Sequence, residues 1–118
     1  MKYVLLIHHG PNPPLPGSER FKALSQAEQK QIYTDYAQLN STPGFSAGLP
    51  LGLASEARTV QVRDGKTQVK EGTYLSEGAG GYGVYEADSI EEAIELAARI
   101  PAARLGGAIE IRPAQQYW

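Results

Sequence analysis

Residues 2–8 read Lys-Tyr-Val-Leu-Leu-Ile-His. In an extended chain Tyr3, Leu5 and Ile7 fall on one side and Val4 and Leu6 on the other. A strand that is apolar on both faces has to be covered on both faces. Helices supply one cover. A chain of 118 residues has few elements left for the other, so a second copy of the same chain is the simplest remaining cover. The segment reads as a central strand of a sheet that works in pairs.

Outward from this strand the pattern alternates. Residues 10–17 read Gly-Pro-Asn-Pro-Pro-Leu-Pro-Gly. Four prolines exclude a helix or an inner strand, so the stretch reads as a stiff loop. Its overlapping Pro-x-x-Pro spacing is also that of a polyproline ligand. Ser25-Gln-Ala-Glu28 has the form of a capping box. Ile32, Tyr36 and Leu39 follow at helical spacing, which predicts a helix ending near Asn40. Phe45–Leu53 alternates, but Pro50 demotes it to an edge or interrupted strand. Arg58–Arg63 alternates with Val60 and Val62 inward, and Asp64-Gly65 predicts a hairpin turn into Lys66–Tyr74.

Tyr82–Ala87 reads as a further strand, with Tyr82 and Val84 on one face. Ser89 and Glu92 form a second capping-box pattern, and Ile90, Ala93, Ile94 and Ala97 predict an apolar stripe. Ala108–Arg112 reads as the last strand, with Ile109 and Ile111 inward and Pro113 stopping it. The order is strand, helix, strand, hairpin, strand, helix, strand. It predicts an α+β fold of the ferredoxin-like, split βαβ kind, with an extra β-hairpin and helices on one sheet face. Residues 1–118 read as one domain.

Composition limits the chemistry. There are 11 Lys+Arg and 13 Asp+Glu, a net charge of −2. That balance gives no footprint for nucleic acid or an anionic membrane. The chain contains no cysteine, which excludes disulfides, thiolate nucleophiles and Cys-ligated zinc. No apolar run approaches the ~18 residues of a membrane span, and the start lacks a signal-peptide pattern. The expected compartment is the cytoplasm. Phosphate-loop, dinucleotide, nucleophile-elbow and His-Glu-x-x-His motifs are absent, so no cofactor is expected.

The titratable candidates are few. His8 closes the first strand and could serve as a general base. His8 and His9, as neighbours, point to opposite faces and do not readily share a metal, so no metal site is expected. Arg112 suits an anion anchor. Glu77 and Tyr82 are candidate polar groups of a pocket. A carboxylate near His8, such as Glu86 or Glu110, could orient its imidazole.

Several stretches together resemble the YCII-related family, in its DGPF-type branch. They are Met1–Ile7, Thr59–Thr67, Glu77 with Gly80-Gly81-Tyr82, Ala87–Ala93, Pro101–Arg104 and Ile109–Pro113. The resemblance implies a dimeric α+β barrel. It also implies proposed enzymes that use a His–Asp pair, with the histidine on the first helix. Residues 25–39 contain no histidine, and the branch's Asp-Gly-Pro-Phe stands here as Glu71-Gly72-Thr73-Tyr74. That pair is therefore not carried over.

Two functions are expected from different classes. One is a small dimeric enzyme of lyase or isomerase type, acting on a small aromatic or carbonyl acid through His8, Arg112 and Glu77 or Tyr82. The other is a non-catalytic small-ligand-binding or regulatory module. The expected partners are a second copy and a small molecule, with neither nucleic acid nor membrane.

Overall fold

The computed structural model describes residues 1–75 and 79–117. β1 (Lys2–His8) is central, as its two apolar faces predict. It pairs antiparallel with β5 (Gly81–Glu86) on one side and β6 (Ala108–Pro113) on the other. β2 (Phe45–Ala47) pairs with the outer side of β5, giving the order β2-β5-β1-β6. With a helix between β1 and β2 and another between β5 and β6, this is the split βαβ arrangement of a ferredoxin-like α+β fold. β3 (Arg58–Arg63) and β4 (Lys66–Glu71) form a separate two-stranded hairpin.

The helices cover the face that holds Tyr3, Leu5 and Ile7. α2 (Gln26–Asn40) starts at Ser25, whose Oγ accepts from the Glu28 N–H at 3.1 Å. Glu28 does not complete the predicted box. Its carboxylate turns to Arg104, with Nη2 to Oε1 at 2.8 Å, because a guanidinium is the stronger partner for an ionised group. α3 (Ile90–Ala98) is capped by Ser89 Oγ, which accepts from the Glu92 N–H at 3.3 Å. Glu92 reaches one residue beyond the predicted box and accepts from the Asp88 N–H at 3.1 Å.

The inward stripe of α3 differs from the expected one. Ala93, Leu96 and Ala97 are buried, and Ile100 follows them. Ile90 and Ile94 are left exposed. The observed set keeps i, i+3, i+4, i+7 spacing, and the small Ala93 and Ala97 let the helix lie close to the sheet. Leu5, Leu39, Phe45, Leu96 and Ile100 form the core between the layers, with Ile109 and Ile111 packed against it.

A short helix the sequence did not predict, α1 (Glu19–Ala23), follows the Pro-rich loop. Ser18 Oγ caps it by accepting from the Phe21 N–H at 3.2 Å, and the Phe21 side chain is buried. Gly10 opens the loop with φ +82°, and a Cβ there would stand 2.5 Å from the Gly106 carbonyl oxygen. Only glycine suits both the left-handed backbone and the close approach.

β2 is an edge strand, as predicted, and one expectation of burial, in the hairpin, is corrected. β2 ends at Ala47, and Leu49, Leu51 and Leu53 beyond it are exposed. Pro50 lacks the N–H a longer ladder needs. The hairpin forms as its Asp64-Gly65 turn predicts, both residues having positive φ. Val60 and Val62, however, face outward into solvent. The hairpin joins no other described strand, so the described residues supply no core for them to enter.

Candidate functional site

His8 and His9 leave the end of β1 in opposite directions and divide the chemistry between two places. His9 has the parity of Tyr3, Leu5 and Ile7 and lies on the helix side. It lines a cleft of about 70 Å³ with Leu15 of the Pro-rich loop, Ile32 and Tyr36 of α2, and Ala102 and Leu105 after α3. The lining is mostly apolar, so the rings of His9 and Tyr36 fall in surroundings of low polarity. Burial lowers the His9 pKa from its ordinary 6.5, because the charged imidazolium loses hydration there. His9 is therefore a neutral donor–acceptor at neutral pH.

Gly80 fixes the ring. A Cβ at Gly80 would stand 2.2 Å from His9 Cδ2, so only a glycine lets this backbone lie against the imidazole. The Gly80 N–H donates to the Ile7 carbonyl at 2.7 Å and holds that backbone in place.

Tyr36 faces the same cleft from α2. Burial raises its pKa above the ordinary 10.0, and the Asp35 charge adds to the rise while the Arg104 charge opposes it. It therefore stays a phenol that can donate one hydrogen bond. Behind it Arg104 bridges two carboxylates, Glu28 at 2.8 Å and Asp35 at 2.9 Å. Burial works against the guanidinium charge, but hydrogen bonds to Glu28 and Asp35 outweigh it, and the pKa rises above its ordinary value. The bridge ties α2 to the turn after α3. Tyr33 stands at the rim, where its ring meets Phe21 edge to face at 5.8 Å.

His8 has the opposite parity. It lies on the sheet face that no helix covers, among Val4, Leu6, Tyr82 and Val84. The register sets Leu6 opposite both Tyr82 and Glu110, and Val4 opposite both Val84 and Arg112. Glu110 stands between the other two polar groups. Its carboxylate is 3.5 Å from His8 Nε2 and 4.0 Å from Arg112 Nε. Three of the residues singled out from the sequence, His8, Tyr82 and Arg112, thus share this uncovered face. Glu77 lies outside the described residues. Among the described residues no group of three His, Asp or Glu side chains is placed to hold a metal ion.

The YCII-related domain family matches residues 1–116. The chain belongs to that family. The match runs through both βαβ halves, the Pro-rich loop and the hairpin, so the cleft and the uncovered sheet face both lie within the YCII-related domain. No curated protein matches the chain.

The sequence reading did not single out His9, Tyr36 and Arg104 as functional. Strand parity was the available signal for His9, since it continues the buried series 3, 5, 7. Tyr36 read as part of the helix stripe, and its hydroxyl matters only because the Pro-rich loop closes over it. Arg104 is distant from Glu28 and Asp35 in sequence, and only the packing of α2 against the turn after α3 joins them. No helix among the described residues is long and apolar enough to cross a membrane.

Proposed function

We propose that this YCII-related domain is a small-molecule-binding homodimer whose ligand sits in the His9–Tyr36 cleft. The observation that carries the reading is a partly buried imidazole set between a backbone glycine and an apolar concavity. Ligand sites combine an apolar lining with a few fixed polar groups in this way. The cleft's volume, about 70 Å³, is several times the ~10–15 Å³ that one water needs on the same measure. It suits a ring edge or a short carbonyl chain rather than a nucleotide. Arg104 is already neutralised by Glu28 and Asp35, so the cleft favours an uncharged ligand over an anion. Calorimetric titration with phenol and with benzoate tests this. Phenol binds more tightly in the proposed site; benzoate as the tighter ligand contradicts it.

The homodimer is supported by the uncovered sheet face. Val4, Leu6 and Val84 lie together there with no second layer among the described residues. Sedimentation at micromolar concentration gives a dimer on this reading and a monomer if it is wrong.

A second reading is favoured by one observation, the ion-pair spacing of His8, Glu110 and Arg112. Between two sheets these groups would form an enclosed polar line. His8 would act as base and be oriented by Glu110, Arg112 would hold an anion, and Tyr82 would donate a phenol. The substrate class would be a small aromatic or carbonyl acid, in a lyase or isomerase reaction. Benzoate that shifts the His8 ring resonances and leaves those of His9 unchanged supports this second site; the reverse pattern supports the cleft.

A further inference from the structure

The β3–β4 hairpin pairs with itself and with no other described strand. A lone two-stranded ribbon is marginally stable at best in water. One of its faces nevertheless carries three valines. Val60 is 61% exposed, Val62 58% and Val69 64%, and Val60 stands directly opposite Val69. Leu49, Leu51 and Leu53, also exposed, lead from the sheet edge toward the hairpin. The chain's radius of gyration is 16.2 Å, whereas a compact chain of this length has about 13.5 Å. The molecule measures 53 × 39 × 18 Å, flat and long rather than round.

Charge is divided in the same way. Residues 58–71 carry Arg58, Arg63, Lys66 and Lys70 against Asp64 and Glu71, a net +2. The whole chain carries −2, so the remaining residues carry −4. A basic, valine-faced projection stands on an acidic body.

We propose that the hairpin is an arm that grips a second copy of this chain. It lays Val60, Val62 and Val69 on that copy with Arg58 on the same face, while Arg63, Lys66 and Lys70 on the other face keep the arm as a whole positive and drawn to that copy's acidic body. Charge complementarity selects the occupant. Two arms repel each other, whereas arm and body attract, and twofold symmetry lets both copies make the same contact. Burying the valine face supplies the packing a lone ribbon lacks. The inference goes beyond the proposed sheet-face dimer, because two sheet faces can meet with the arms free.

The chain has no cysteine, so a single nitroxide can be placed at Gln68→Cys, on the hairpin face opposite the valines. The labelled protein is mixed with an unlabelled-spin, ¹⁵N-enriched copy. The arm predicts broadened amide signals in the body of the ¹⁵N copy. A dimer without such broadening overturns it. The triple variant Val60→Thr, Val62→Thr, Val69→Thr keeps β-branched side chains and removes apolar contact. It should dimerise at least tenfold more weakly, and added salt should weaken the wild-type dimer. If Leu6→Arg separates the copies while the triple variant associates like wild type, the arm is refuted and the sheet-face dimer stands. A wild-type chain that stays monomeric refutes both.

Discussion

The backbone of Gly80 lies against the His9 imidazole so closely that a Cβ at residue 80 would stand 2.2 Å from His9 Cδ2. The glycine therefore does more than permit a turn. It holds a titratable ring at the wall of an apolar cleft and leaves no room for that ring to retreat toward β5.

Gly80→Ala should displace His9 and weaken ligand binding in the cleft. Forcing an extra carbon into a filled site costs about 1–3 kcal/mol. Chemical denaturation reads the loss of stability, and phenol titration reads the loss of binding. A variant that binds phenol like wild type would show that the ring's position is immaterial.

His9 also gives stability a pH dependence of definite sign. Its folded pKa lies below the ordinary 6.5 because of burial. Above that pH both folded and unfolded chains hold it neutral, and it contributes nothing. As pH falls below 6.5 the unfolded chain takes the proton first, so stability drops until the folded ring also titrates. Thermal unfolding between neutral pH and about pH 5 should show a shallower loss for His9→Gln than for wild type. Equal slopes would mean that His9 is not held neutral.

Arg104→Ala removes the bridge to Glu28 and Asp35. Because the pair with Glu28 is partly solvated, the expected cost is modest, about 1 kcal/mol. The sharper readout is Tyr36. The Arg104 charge pulls the Tyr36 pKa down against burial, so its removal should raise that pKa further. Ultraviolet titration of the tyrosines follows it. An unchanged Tyr36 would separate the bridge from the cleft.

Leu5 is fully buried in β1, and Leu5→Ala should cost about 2–5 kcal/mol. Leu6, its neighbour on the uncovered face, should behave differently. Leu6→Ala should cost less in the monomer but weaken self-association. Sedimentation and denaturation together separate the two effects; an equal loss of stability at both positions would place Leu6 in the monomer's own core.

Most of the sheet was legible because its cause is local. The double apolar face of residues 3–7 announces a central strand, and Asp64-Gly65 announces the hairpin through the positive φ its turn needs. Ser25 and Ser89 mark helix starts because an N-cap acts within one turn. The inward face of α3 differs from the one its spacing predicts because Ile90 and Leu96 compete for one stripe, and only packing on the sheet chooses between them. Val60 and Val62 alternate like core residues, yet burial depends on what lies opposite, which alternation does not encode. The cleft was hidden for the same reason. His9, Tyr36 and Leu15 come from three separate segments, and a Pro-rich loop brings them together.

The most direct measurement is a phenol titration followed through the ring resonances of His9 and His8. Binding in the cleft predicts saturable shifts at His9, loss of those shifts in Gly80→Ala, and an undisturbed His8. Shifts at His8 alone, or none at His9 up to millimolar phenol, would contradict the cleft as the site of ligand binding.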